Sequence, residues 1–294
     1  VTDWLTLQAR GNLDYSADKL RQKFYASTAT ALCGMNGRYI EMDYQETQMY
    51  GDVMAMVKKQ LNDFTLDVAI GGSINDRITN STRIDSKNAS LKYANVFNLA
   101  NIVMSSSASI DQKIDAHYQL QSVFATAQIG YKEGVFLDLT ARNDWSSTLA
   151  YTKYEKKGFF YPSVGVSFLP DKWVKMLEWV SFSKLRGAYS IVGNGVPPFI
   201  TYPVSYVTAG GEILASDAAP FAEMKPEMTH SVELGIEWKF LQHRLGLNLT
   251  YYRTDTYEQF FKLPALAGDK YAYRYVNAGD IRNQGWEITL DATP

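Results

Sequence analysis

At 294 residues the chain can form one large β domain or two ordinary ones, and a hydrophobic fraction of 46% excludes simple disorder. A formal net charge of -2 provides no polybasic field for nucleic acid, and Cys33, as the single cysteine, excludes an intrachain disulfide and a thiolate zinc site. No apolar run reaches the ~18 residues of a spanning helix, and Val1-Thr2-Asp3-Trp4-Leu5 does not read as a signal peptide, so any membrane crossing must be made by strands.

Taken along the chain, the strongest pattern has period two, which places alternate side chains on opposite faces of a strand. It starts over residues 4–17 and 47–60, then sharpens where Phe64, Leu66, Val68 and Ile70 alternate with Thr65, Asp67, Ala69 and Gly71. Val123, Ala125, Ala127, Ile129 and Tyr131 form the next apolar row, followed by Val135, Leu137, Leu139 and Ala141 opposite Asp138, Thr140 and Arg142. Over 180–192 the faces are mixed: Lys184 and Arg186 share a side with Phe182 and Ala188, and they line a wet face only if Leu185, Gly187, Tyr189 and Ile191 face lipid. Val232, Leu234, Ile236, Trp238 and Phe240 oppose Glu233, Glu237 and Lys239; Leu245, Leu247, Leu249 and Tyr251 follow, and Trp286, Ile288 and Leu290 close the series. These rows predict ten strands, at 4–17, 47–60, 64–75, 118–131, 134–146, 159–169, 180–192, 229–241, 243–256 and 281–292. Residues 170–179, with Pro170 at a helix-start position, read as one or two helical turns capping a link.

The links alternate in length. Those at Lys59–Asp63, Lys132–Gly134 and Leu241–Gln242 are tight, whereas 18–46, 76–117, 193–228 and 257–280 are long. In an up-and-down sheet this gathers long loops at one end and tight turns at the other, as in outer-membrane barrels. A soluble sheet hides its apolar face under a second layer, and the sequence offers no amphipathic helices to provide one. Either the strands form two packed sheets, or the apolar face meets lipid. The charge of the other face, Asp67, Asp138, Arg142, Glu233, Glu237, Lys239, Glu287 and Asp291, fits a wet lumen better than a sandwich exterior, so the expected fold is all-β, an antiparallel transmembrane barrel segment.

No catalytic or metal constellation emerges. His117, His230 and His243 lack metal-ligand spacing, and Glu233 and Glu237 sit ~13 Å apart along one strand face, beyond the ~5–9.5 Å of paired glycosidase carboxylates. The chain reads as no enzyme, with no cofactor. Candidate contacts for a substrate or a lid protein are Arg142, Asp144 and Trp145 at a strand end, and Tyr154, Tyr202, Tyr206, Tyr271 and Tyr273 in the loops. Tyr151, Phe159, Phe160 and Tyr275 extend that loop set; the blander reading makes several of these rings an interfacial girdle.

Several ordered segments carry a family likeness: Arg142-Asn143-Asp144-Trp145-Ser146-Ser147-Thr148-Leu149, Phe160-Tyr161-Pro162-Ser163-Val164-Gly165, and Lys184-Leu185-Arg186-Gly187-Ala188-Tyr189 through Gly193-Asn194. Lys225-Pro226-Glu227-Met228-Thr229 and Asn277-Ala278-Gly279-Asp280-Ile281-Arg282-Asn283-Gln284-Gly285-Trp286-Glu287 complete them. With these the chain resembles the SusC/RagA family of TonB-dependent outer-membrane transporters, specifically over 118–294 and more loosely before. The resemblance implies a 22-stranded barrel plugged by an N-terminal domain, energised by TonB through a periplasmic box, and lidded by a SusD-like lipoprotein that captures glycans or peptides. On that reading residues 1–294 are part of a single barrel domain, with plug and TonB box outside this chain, and about ten strands could not transport alone. Two rivals remain at this point: a soluble, secreted carbohydrate-binding or hydrolytic β protein, suggested by the tyrosine-rich loops, and a barrel serving as a surface adhesin.

Overall fold

The computed structural model describes residues 2–87, 91–103, 109–207, 211 and 213–293. In chain order its strands are β1 (Leu5–Phe24), β2 (Arg38–Leu61), β3 (Phe64–Asp85), β4 (Ser109–Tyr131), β5 (Val135–Ser146), β6 (Phe159–Phe168) and β7 (Val180–Asn194). There follow β8 (Tyr206–Val207), β9 (Ile213–Leu214), β10 (Ala218–Ala219), β11 (Glu227–Phe240), β12 (Leu245–Tyr257), β13 (Phe260–Pro264), β14 (Tyr273–Asn277) and β15 (Ile281–Ala292). Ten of them form one antiparallel sheet in the order β1-β2-β3-β4-β5-β6-β7-β11-β12-β15, each paired with its neighbours in the chain apart from the short strands inside loops.

The tight turns depend on left-handed backbone: Asn62, Lys132, Glu133, Leu241 and Gln242 all have positive φ. Such residues match the twist of the flanking strands, so the hairpins close in a few residues at this end. At the other end β1 to β4 run well past the predicted limits: β1 extends to Phe24, while β2 starts at Arg38, β3 ends at Asp85 and β4 starts at Ser109. The apolar row changes sides there: Leu20, Ile40 and Met42 lie on the face opposite the outer row. Lys19, Arg21 and Lys23 replace Leu7, Leu13 and Tyr15 on the outer row, and backbone pairing with cross-strand ion pairs from Lys19 and Arg21 to Glu41 and Asp43 carries the strands on. The expected helical turns over 170–179 shrink to a single 3-10 turn at Pro170–Lys172, after which Trp173 lies against Gly134 in the space a Cβ would fill.

The sheet is one layer thick. Trp286 and Leu290 are 65% and 76% exposed, and no described element packs over this face between the turns and the outward extensions. The register then fixes a tilt. Tyr251 and Trp286, the last large apolar pair on β12 and β15, share a row with Leu234, Gly187, Val166, Leu137, Ile129, Leu66 and Lys59. On β1 the matching aromatic limit is Tyr15, opposite Thr47, which lies twelve residues outward of Lys59 on β2. That is about 40 Å of climb along the strands across about 43 Å of sheet, a tilt of roughly 43°. It falls within the ~35–45° of transmembrane barrels. Burial is concentrated instead in two clusters at the outward end, Tyr39/Leu91/Ile102 and Leu149/Val196/Met224.

Candidate functional site: the lumen face and the outer cap

Strand parity sorts every charged candidate. Asp67, Asp138, Arg142, Asp144, Glu233, Glu237, Lys239, Glu287 and Asp291 share the face opposite the apolar rows. Leu185, Gly187 and Tyr189 pair with Ile236, Leu234 and Val232 on the apolar face, so Lys184 and Arg186 line the lumen side. These charges are tied to one another. Arg10 lies 3.0 Å from a fully covered Asp52 carboxylate, Arg77 pairs with Glu46, and Arg142 bonds Asp144 at 2.7 Å while donating to Ser122 Oγ at 2.7 Å. Arg186 donates to Thr250 Oγ1 at 2.7 Å and sits 3.3 Å from Glu233.

A glycine stands directly across from a large side chain at four places on this same face: Gly71 opposite Phe124, Gly130 opposite Phe136, Gly235 opposite Arg186, and Gly285 opposite Tyr252. In each pair the partner lies where the glycine's Cβ would be, at distances of 2.4 to 3.1 Å. Large groups thus lie flat along the wall rather than projecting into the lumen, and register is pinned as they do so. Only the strand pairing reveals what each of these glycines faces.

Trp145 points the other way. It follows Asp144 on β5 and shares an outer row with Gln121 and Ile74, so its ring sits at the outward edge of the apolar face with Phe160. At the opposite edge Phe64, Tyr131 and Trp173 cluster, and Trp179 stacks on Phe240 at 5.3 Å. Two aromatic belts bounding an apolar band are the pattern of a barrel at two interfaces.

Above the outer belt, three links fold into a cap. Leu149, Val196 and Met224 are its buried centre, ringed by Tyr154, Phe159, Ile200, Phe221, Phe260 and Tyr275. Strand β14 lies between β10 and β13 in a small three-stranded sheet. Asn277 is the clasp: its side chain accepts from Lys225 N–H at 2.9 Å and donates to Lys225 O at 3.0 Å and Glu258 O at 2.7 Å. Lys225 Nζ pairs with Glu258 at 2.8 Å, which raises the lysine above its ordinary range, and burial pushes the Tyr275 hydroxyl up. Two segments noted separately in the sequence, around Lys225 and Asn277, therefore form one joint.

The loop tyrosines divide between cap packing and exposed positions. Tyr154, with Phe159 and Tyr275, is cap packing. Tyr202 packs at a tilt against Tyr151 with ring centres 4.9 Å apart, and both rings are exposed, while Thr201 Oγ1 donates to Ala150 O at 2.9 Å and holds the two segments together. Tyr273 lies half-buried under Lys262, whose Nζ is 3.6 Å from the ring centre, and Tyr271 is half-buried near it. Tyr206 opens β8, and its side chain lies outside the described residues. Leu149, Val196 and Met224 were missed in the sequence because cap packing has no period. Among the described residues no His, Cys, Asp or Glu group is placed to hold a metal ion.

A family model described as TonB dependent receptor-like, beta-barrel, matches residues 1–293. The chain is 25% identical over 184 residues to TonB-dependent receptor P3 of Formosa agariphila, covering 59% of this chain and 18% of that protein. TonB-dependent receptor P39 of the same organism is 21% identical over 183 residues, 60% of this chain and 17% of the relative. Among solved structures, the RagAB peptide importer in its closed-closed state superposes with a TM-score of 0.83 at 19% identity, over 100% of this chain and 33% of that one. The copper transporter OprC superposes at 0.59 with 14% identity, over 99% and 41%. At these identities the superpositions speak to the fold, and the chain spans well under half of each relative.

Proposed function

Because the chain belongs to the TonB-dependent receptor-like β-barrel family, we propose that it supplies ten strands to the barrel of an outer-membrane importer and that the whole protein carries a bulky nutrient, an oligosaccharide or oligopeptide, across that membrane. The observation that supports this most directly is the single-layer sheet, whose uncovered apolar face rises at the tilt of a transmembrane barrel while Asp138, Arg142, Arg186, Glu233 and Glu287 face the lumen. In this reading residues 1–294 are part of one barrel domain, a SusD-like lipoprotein seats on the outer cap, and TonB energises transport through parts of the protein outside this chain. The protein performs no chemistry on its cargo.

The test is uptake in a strain deleted for the gene, supplied with fluorescent oligosaccharides or oligopeptides, alongside fractionation of the complemented strain. Lost uptake, restored by the full-length gene, with the protein in the outer-membrane fraction, supports the assignment. Unchanged uptake of both cargo classes, or recovery of the protein from the soluble fraction, overturns it.

A further inference from the structure

One polar recess lies on the outer wall, away from both the lumen and the cap. It has a volume of about 700 Å³ and is lined by Asp43, Gln45, Asn80, Thr82, Gln112 and Ile114. Register places these side chains on the lipid side of β2, β3 and β4: Gln45 faces Asn80, which faces Ile114, and Asp43 faces Thr82, which faces Gln112. A β-bulge makes the hollow. Thr79 pairs with Ala116 but Asn80 pairs with Ile114, so Asp115 is the extra residue and the two strands bend there.

Its height and roof define what can reach it. The recess starts two residues, about 7 Å along the strand, outward of the row shared by Tyr15, Thr47, Ile78 and His117 on β1 and its neighbours, and six residues, about 20 Å, outward of Ile74 on β3. Overhead, Tyr39 and Ile84 on the same outer face pack against Leu91, Phe97 and Ile102. That loop is braced from within, since Asn101 Nδ2 donates to Tyr93 O at 2.8 Å and Val96 O at 2.7 Å. The result is an alcove opening sideways over the bilayer surface, on a wall that neither the lumen contents nor neighbouring barrel strands cover.

The lining selects the chemistry. Three primary amides of two different reaches, Gln45, Asn80 and Gln112, with a hydroxyl and a carboxylate, surround one apolar contact, Ile114. This set bonds sugar hydroxyls as donor and acceptor and leaves a patch for a sugar's C–H face. A phosphate is disfavoured, because both nearby cations are already paired: Lys113, at the edge of the recess, lies 3.0 Å from Asp115, and Lys19 is held by Glu41 and by Asp43, the latter at 3.3 Å. We propose that the recess holds the sugar headgroup of an outer-leaflet glycolipid, fixing the barrel's height and lateral neighbours. This rests on the outer-membrane placement proposed above, not on any particular cargo.

The experiment uses the full-length receptor in mixed micelles, with bound adducts counted by native mass spectrometry. Three probes are compared: lipopolysaccharide carrying its core sugars, lipid A stripped of them, and free core oligosaccharide. The parent protein should retain the core-bearing glycolipid over lipid A, and Asn80→Ala combined with Gln112→Ala should lower that occupancy about tenfold. Thr82→Val, a near-isosteric change, should lower it by a smaller factor, and heat-modifiable gel migration checks that each variant is folded. Equal occupancy in folded parent and variants, or equal retention of lipid A, overturns the proposal. Free oligosaccharide binding as tightly as the intact glycolipid assigns the recess to a soluble glycan and removes the lipid. None of these readouts depends on uptake, so a failed transport assay and a failed headgroup assay are separable.

Discussion

Val164 provides the sharpest test of what covers the apolar face. It lies near the middle of the outer row of β6, flanked by Leu139 on β5 and Tyr189 on β7, and is 38% exposed in the sheet. If water covered that exposed part, Val164→Arg would place its guanidinium in solvent and change stability by no more than about 0.5 kcal/mol, as surface substitutions usually do. If hydrocarbon covers it, an arginine near the midplane costs about 2–4 kcal/mol, a thirtyfold to thousandfold shift in the folding equilibrium. Phe160→Arg, two outer rows further toward the cap on the same strand, should cost only about 0–1 kcal/mol because the side chain reaches the interface. Ser163→Arg, facing the lumen between them, reports on the opposite side. The assay is reversible guanidinium unfolding of the full-length receptor in lipid vesicles, followed by tryptophan fluorescence. A Val164→Arg penalty within about 0.5 kcal/mol of the Phe160→Arg value would refute the lipid-facing assignment.

Gly235→Ala places a Cβ 2.4 Å from Arg186 Nε and 2.9 Å from its Cγ, so the arginine must leave the wall and its contacts with Thr250 and Glu233. The expected cost is about 1–3 kcal/mol, read by the same unfolding assay, and Gly211→Ala is no match for it as a control because its φ is +81°; Gly195→Ala, with open space around it, is the suitable one. Asn277→Ala removes three hydrogen bonds from the cap clasp and should speed amide exchange in residues 213–228 and 258–277 while leaving β4 to β7 unchanged. Equal exchange in variant and parent would show that the clasp does not hold the cap. The cap should also loosen in alkali. Lys225 and Tyr275 both titrate above their ordinary values, so their contributions are complete below about pH 10 and disappear as pH rises through the raised values. Exchange in the cap that accelerates toward acid rather than toward alkali, after correction for the intrinsic rate, would contradict that sign.

The sequence by itself determined the strands and their two faces. An apolar residue at every second position has one low-energy placement, so Val123 to Tyr131 and Val232 to Phe240 announce a sheet with one greasy side, and alternating link lengths order its ends. Parity also put Arg142 and Glu233 on the wet side before any pairing was known. Three things required the tertiary structure. The outward continuation of β1 to β4 was placed only by pairing with a neighbour, because the outer row turns charged there and on β2 Ile40, Met42 and Tyr44 fall on the opposite face from the apolar row further in. The cap, with Met224 beneath Tyr154 and Asn277 joined to Lys225, comes from links far apart in the chain, which pack by shape and not by period. Lys184 and Arg186 were ambiguous alone; they became lumen residues only when Leu185 met Ile236 across the ladder, because a strand's facing is settled by its partner's register.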